Sequence, residues 1–336
     1  MYFVDNGKDN YDASLNIALE TYLVENRLAD EPILLFYIND PSIIIGRNQN
    51  TIEEVNQPYV DANNIRVVRR MSGGGAVYHD RGNFSFCFIK DDDGSFRDFA
   101  SFTKPVIEAL HKMGVEGAEL QGRNDLLIDG KKFSGNAMYA KNGRMTAHGT
   151  ILFDADLDEV TNALKPRKEK IESKGIKSVR SRVTNIKPYV DEKYQSLSTE
   201  EFRDLLLLEI FGVTRREDVP EYYLTEEDWV NVREIQAERF GNWDWNYGKS
   251  PEFNLEKSHK FPFGFVDFKF DVKDGLIKDV RIYGDFFGLG DISDLEEALK
   301  GVKFERQALA QALETLDLNK YLGKITQEEI IAMIFD

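Results

Sequence analysis

Hydrophobic and polar positions switch between two periods along this chain, and the switches mark its elements. Residues 13–27, ASLNIALETYLVENR, put Leu15, Leu19, Tyr22 and Leu23 on one helical stripe, with Asp12 or Ser14 able to cap its start. ILLFYI (33–38) and SIIIG (42–46) read as strands around an Asn-Asp-Pro turn, and IRVVRR (65–70) as a third. FSFCFIK (84–90) alternates, with Phe84, Phe86 and Phe88 on one face and Ser85 and Cys87 on the other. Residues 99–113 return to the helical period. Two hairpins follow, turning at Asp129-Gly130 and Asn142-Gly143, dipeptides that accept the left-handed backbone a two-residue turn demands.

Beyond Phe153 the pattern is helical again, with helices predicted over 198–211 and 225–239. GNWDWNYGKSPEF (241–253) carries two of the three tryptophans among glycines and a proline, and reads as a packed junction. A hairpin about Asp274-Gly275 then precedes helical patterns at 291–299, 304–316 and 326–335. No internal repeat or low-complexity tract interrupts this order. The pattern predicts an α+β fold: a large domain over 1–246 on a mixed, largely antiparallel sheet, and a smaller α+β C-terminal domain over 252–336.

Composition adds exclusions. Hydrophobic residues at 42% and charged residues at 30% suit a soluble globular protein with a real core. A formal net charge of −16 argues against a non-specific grip on nucleic acid. The single cysteine, Cys87, cannot close an intrachain disulfide, and His79, His111, His148 and His259 are too dispersed in sequence to suggest a structural metal. No apolar stretch approaches the roughly 20 residues that span a bilayer, and MYFVDNGKDN lacks a signal-peptide shape, so a cytoplasmic protein without membrane partners is expected. Against the acidic background, residues 165–182 (KPRKEKIESKGIKSVRSR) carry eight Lys or Arg and only two Glu, a local reversal of charge.

Three features offer chemistry. In RRMSGGGAVYHDRGNFSF (69–86), glycine N–H groups can approach a phosphate closely and Arg70 can supply charge. The stretch has neither P-loop nor GxGxxG spacing, so a plain strand connector, with Arg69 and Arg70 on a solvated edge, fits the residues as well. Lys132, closing the first hairpin, can neutralise a carboxylate or phosphoryl oxygen, or it can be a solvent lysine like its neighbour Lys131. His148 in TAHGTILF and Cys87 in its aromatic strand both read as core residues when taken alone.

Taken together the motifs carry more. RRMSGGGAVYHDRGNFSF (69–86), GRNDLLIDGKKFSGNA (122–137), AHGTILFDADL (147–157) and SKGIKSVRSRVTNI (173–186), with IIIGRNQN (43–50) and WDWNYGKSPEF (243–253), resemble in their order the lipoate-protein ligases of the LplA type, in the biotin/lipoate ligase superfamily. The resemblance runs from about residue 10 into the C-terminal domain. It implies a catalytic domain of the biotin/lipoate ligase type that joins lipoate and ATP, with Mg2+, into lipoyl-AMP, releasing pyrophosphate. The lipoyl group then passes to a lysine of a lipoyl domain, in a 2-oxoacid dehydrogenase E2 subunit or the glycine-cleavage H protein. Carried over by position, Lys132 contacts lipoyl carbonyl and adenylate phosphate. Arg70, Gly75, Ala76, Val77 and Tyr78 contact ATP, and Asn83 reads adenine. Ser72, Gly73, Gly74, His79, Gly135 and His148 line the acyl side. Asn124 and Asp125 take a supporting or Mg2+-related part, and Lys174, Lys177, Arg180 and Arg182 of the basic stretch fold over the adenylate or pyrophosphate.

Three alternatives remain for testing. A lipoyl or octanoyl amidotransferase needs an accessible thiolate, and the sole thiol lies upstream of Lys132 in FSFCF. A biotin ligase would carry a GRGRxGR-type loop where this chain has SGGGAVYHD. A non-catalytic protein that retained the fold would have no need of Lys132, Arg70 and the triple glycine together.

Overall fold

The computed structural model describes residues 1–165, 182–247 and 253–335. These residues divide into two compact units, one of Met1–Ile45, Ile52–Arg70 and Ala76–Asn246, the other of Gly46–Thr51, Met71–Gly75 and Tyr247–Asp336. The second unit therefore borrows two short segments from the first half of the chain, one of them holding Ser72, Gly73, Gly74 and Gly75. Most of the basic stretch, with Lys174, Lys177 and Arg180, lies outside the described residues; Arg182 lies within them.

In the first unit the strands are β1 (Tyr2–Val4), β2 (Ile33–Tyr37), β3 (Ser42–Ile45), β4 (Arg66–Arg69), β5 (Val77–His79), β6 (Asn83–Asp91), β7 (Glu119–Gln121), β8 (Asp125–Ile128), β9 (Lys131–Lys141) and β10 (Arg144–Leu152). Seven form a mixed sheet in the order β1-β2-β6-β10-β9-β8-β7, parallel at β1/β2 and antiparallel elsewhere. The other three form a small sheet, β4-β3-β5, with β3 parallel to β4 and antiparallel to β5. The α+β class with a large mixed sheet is thus as the sequence predicts.

Helix α1 (Ala13–Glu25) packs over β6, β9 and β10. Asp12 is its cap, accepting from the Ser14 and Leu15 N–H groups, which settles the choice left open by the sequence. The helix is buried all round, Asn16, Glu20 and Thr21 included, while Leu15 of the expected apolar stripe is only half-buried. Phe84 meets Phe202 of helix Thr199–Phe211, and Phe202 stacks on Phe153 at 4.3 Å between ring centroids. Cys87 turns instead toward α1, as the alternation requires. Of the two tryptophans at the junction, Trp245 donates Nε1–H to the Arg69 carbonyl at 2.8 Å, whereas Trp243 is 59% exposed and not the packed residue its surroundings suggest.

The second unit has its own core. Strands β11 (Leu255–Phe261), β12 (Gly264–Lys273) and β13 (Leu276–Gly284) form an antiparallel meander, with helices Ile292–Leu299, Arg306–Glu314 and Gln327–Phe335. Phe268, Phe270, Ile282, Leu299, Leu309 and Ile330 are buried together there. Among the described residues no helix is long and apolar enough to cross a membrane.

Candidate active site

Lys132 owes its position to an irregular hairpin. Leu126 faces Ser134 and Leu127 faces Lys132 across β8/β9, so Phe133 is the extra residue of a bulge, its side chain fully buried. Main-chain bonds hold the lysine from the other side: its N–H donates to the Arg182 carbonyl at 2.8 Å and its carbonyl accepts from the Thr184 N–H at 2.9 Å. The ammonium lies 2.8 Å from Asp125 Oδ1, with both side chains more than a third exposed. A Cβ on Gly135 would sit 2.8 Å from that ammonium nitrogen. Glycine at 135 therefore leaves the lysine its seat.

Asn124 and Asn136 lace the neighbouring strand ends. Asn136 donates its main-chain N–H and Nδ2 to the Asn124 carbonyl at 2.9 and 3.0 Å, and Asn124 Nδ2 returns a bond to the Asn136 carbonyl at 2.5 Å. Asn136 is buried, its Oδ1 has no partner among the described residues, and a Cβ at Gly149 would lie 2.1 Å from that oxygen. Asn83 is also buried, with Nδ2 reaching the Tyr78 carbonyl at 3.4 Å and Oδ1 lacking a partner among the described residues.

Beneath α1 lies a polar cluster that the sequence did not reveal. Glu20 Oε1 is 2.5 Å from His148 Nδ1, while Oε2 accepts from the Tyr37 hydroxyl and the Cys87 thiol, each at 3.2 Å. Burial alone would push the Glu20 carboxyl up; pairing with His148 and the three donors outweighs it and holds the group below its ordinary value. Burial and the adjacent carboxylate push the Cys87 thiol well up. Glu20, Cys87 and His148 bring metal-type donor atoms within 4.8 Å of one another. A thiol that donates to a carboxylate is protonated, however, whereas a metal-bound or nucleophilic cysteine is a thiolate.

Arg70 does not lie on a solvated edge. It is 6% exposed, donates Nη1–H to the Ile44 carbonyl at 3.1 Å, and is lowered to about 10 by burial against the opposing pull of Glu20 and Tyr37, so it stays charged at neutral pH. Arg69 is tied to the Trp245 carbonyl through Nε at 3.0 Å. His79 is buried with Nδ1 2.9 Å from Asn39 Nδ2, and is lowered to about 3 by burial and then by the charges of Arg70 and His148. Tyr78 is buried too, and burial raises its hydroxyl.

The three glycines answer to different needs within the second unit. A Cβ on Gly73 would fall 2.2 Å from the Phe286 carbonyl oxygen. Gly74 takes φ +94°, and its carbonyl oxygen would be 1.9 Å from a Cβ on Gly46. Gly75 differs: its φ is not left-handed, and a Cβ there meets nothing within 4 Å among the described residues. Ala76 and Val77, which follow it in the first unit, are half-buried.

Comparison with known proteins decides the family. The lipoyl protein ligase A/B catalytic domain matches residues 12–211, and the bacterial lipoate protein ligase C-terminus matches residues 250–334. The chain belongs to the lipoate-protein ligase family. It is 54% identical to a lipoate-protein ligase of Bacillus subtilis over 336 residues, covering all of both chains. Among solved structures it is similar to LipL1 of P. falciparum in complex with lipoate, at a TM-score of 0.81 and 26% identity over 99% of this chain and 98% of that one. It is also similar to a lipoate-protein ligase A bound with ATP, at a TM-score of 0.57 and 28% identity over 74% of this chain and 97% of that one. As a member of this family the chain is an enzyme. Glu20, Tyr37, Asn39 and Asn136 escaped the sequence reading; Glu20 shares its helix with Asn16, Thr21 and Glu25, so its carboxylate gave no distinct signal.

Proposed function

We propose that this chain is an ATP-dependent lipoate-protein ligase. A lipoate carboxylate oxygen attacks the α-phosphorus of ATP, the P–O bond to pyrophosphate breaks, and lipoyl-AMP forms. The ε-amine of an acceptor lysine then attacks the acyl carbon; AMP leaves with the bond electrons and the amine loses a proton. The reactants of the first step are both anions, so their repulsion must be offset where they meet.

One observation carries the reading: a lysine on a bulged strand, held by an ion pair and given room by a glycine. Lys132 supplies the positive charge for acyl carbonyl and α-phosphate. Asp125 holds it in place, and Asp125 and Asn124 offer hard oxygen ligands when Mg2+ arrives as part of the ATP complex. Arg70 and Gly75 to Tyr78 take the nucleotide, with Arg70 supplying a positive charge that persists at neutral pH. The Oδ1 of Asn83, without a partner among the described residues, supports a role in reading adenine, whose exocyclic amine is a donor. Ser72, Gly73, Gly74, His79, Gly135 and His148 take the acyl chain. Arg182, with Lys174 and Arg180, serves the adenylate. Residues 1–246 form the catalytic domain and 252–336 the accessory one. The acceptors are lipoyl domains of E2 subunits or the H protein, and the compartment is the cytoplasm. Acyl-thioester chemistry gains no support from Cys87, whose thiol is buried and spent as a donor to Glu20.

The test is to incubate the protein with ATP, Mg2+ and lipoate and to follow pyrophosphate and lipoyl-AMP. Formation of both supports the reading, and their absence sinks it.

A further inference from the structure

Four asparagines form a directional chain under α1 that ends on His79. Asn6 Nδ2 donates to the Asn10 carbonyl at 3.0 Å, and Asn10 Nδ2 donates to the Asn6 carbonyl at 2.8 Å. Carbonyls can only accept, so both amides are oriented with nitrogen as donor. The same nitrogens reach Asn16 Oδ1 at 2.9 and 3.0 Å. Asn16 Nδ2 donates to the Ile38 carbonyl at 3.3 Å and to Asn39 Oδ1 at 2.9 Å. With its oxygen so used, Asn39 can offer only Nδ2 to His79 Nδ1, 2.9 Å away. Nδ1 must then be the acceptor, and the imidazole proton sits on Nε2.

That Nε2–H is a donor with no partner among the described residues, on a side chain only 4% exposed. Ser42, the direct cross-strand partner of His79, is buried with a hydroxyl likewise partnerless among the described residues. Buried donors of this kind are rarely left unmatched in a working protein, so a ligand atom is the natural acceptor. Lipoate carries two kinds of acceptor, its carboxylate oxygens and its dithiolane sulfurs. The carboxylate must meet ATP at the more open Lys132, whose side chain is 36% exposed, so the buried donor falls to the other end.

We infer that Asn16 and Asn39 are positioning residues that lock His79 as an Nε2–H donor, and that this donor recognises the dithiolane ring and favours lipoate over a plain fatty acyl chain. The inference rests on the ligase reading of the same site and names the specificity of its acyl end. Asn39→Asp is nearly isosteric but presents an acceptor to His79 Nδ1, drawing the proton there and withdrawing the fixed donor from the ligand.

Long-range 1H–15N spectra of full-length protein labelled at histidine, with His79→Gln for assignment, report the proton's place. Adenylation of lipoate and of octanoate, which share the carboxylate but not the sulfurs, reports its use. The wild type should show His79 protonated on Nε2. Asn39→Asp should show the proton on Nδ1 and lose about three- to tenfold in lipoate kcat/KM, in line with one weak hydrogen bond, with octanoate changed less than about twofold. A wild-type proton on Nδ1 overturns the relay. Equal losses for both acids assign the donor to the carboxylate and overturn the specificity, as does a moved proton with no change in either acid. If Asn39→Asp does not fold, His79→Leu and His79→Gln carry the test: the first should lose lipoate preference and the second, which keeps an N–H, should retain it, and equal preferences in the two overturn the inference. A wild type that adenylates neither acid overturns the ligase reading and the ligand half of the inference with it, while the spectra still decide the relay.

Discussion

Lys132 and Gly75 let function be separated from folding at single residues. Lys132→Ala removes an exposed ion pair of the kind that contributes about 0–1 kcal/mol, so the unfolding transition should stay nearly in place. Adenylation should fall by about 10²–10³-fold or more, the scale for losing one preorganised electrostatic contact. Near-wild-type adenylation would refute the role given to Lys132. Gly75→Ala meets no atom of the described residues within 4 Å, so its stability should match the wild type within about 0.5 kcal/mol while its KM for ATP rises. Gly73→Ala, facing a carbonyl oxygen at 2.2 Å, should instead destabilise the second unit by about 1–3 kcal/mol. Chemical denaturation of the two variants beside ATP titrations separates them.

His79 gives the pH dependence. Burial first, then Arg70 and His148, move it from 6.5 to about 3 in the folded chain. As pH falls through about 6.5 the unfolded imidazole takes a proton that the folded one refuses until about 3. The unfolded state then binds more protons, and stability, intact above 6.5, declines between those values. His79→Gln removes this titration, so between pH 7.5 and 4.5 it should lose about 1–3 kcal/mol less than the wild type in urea unfolding. Equal acid losses would contradict the neutral, buried imidazole.

At the scale of elements, the hairpins were the most legible part of the sequence. Asp129-Gly130, Asn142-Gly143 and Asp274-Gly275 all place both turn residues at positive φ, as the dipeptides foretell, because this signal is local. The bulge that excludes Phe133 from pairing was invisible, since it depends on how β9 is gripped by the segment around Val183. Likewise α1 was read as amphipathic from its leucines, while the fold buries its polar face to build the Glu20 and Asn16 networks. Periodicity reports which side chains avoid water, and it cannot tell solvent from a buried polar partner. The bulge also carries a prediction. Gly135→Ala places a Cβ 2.8 Å from the Lys132 ammonium and 3.0 Å from Cε, the far end of a flexible side chain that can shift cheaply. The fold should survive, and adenylation should fall about tenfold as the charge moves off its mark. A loss of stability as large as the loss of activity would mean that Gly135 serves the strand and not the lysine.

For the whole molecule, the sequence made the two-part architecture readable through the run of strands and helices after residue 252, yet gave no sign that Gly46–Thr51 and Met71–Gly75 cluster with that part. Such membership arises from contacts between residues more than 200 positions apart, exemplified by the Gly284 N–H on the Asn48 carbonyl. Family motifs in the sequence pointed to the residues proposed for the site, Lys132, Arg70 and the glycines. No motif pointed to Glu20, Tyr37 and Asn39, whose partnerships arise only on burial. A protein that binds its substrates only when folded is stabilised by them, by about 2.7 kcal/mol at a hundredfold excess over Kd. Lipoate with a non-hydrolysable ATP analogue should therefore raise the melting temperature by several degrees, and biotin should not.

The most direct measurement of the central claim is the intact mass of an apo lipoyl domain or apo H protein after incubation with this protein, ATP, Mg2+ and lipoate. The account predicts the gain of one lipoyl group on a single acceptor lysine, requiring ATP and lost in Lys132→Ala. No gain on any member of a panel of such acceptors, or a gain that persists without ATP, would contradict it.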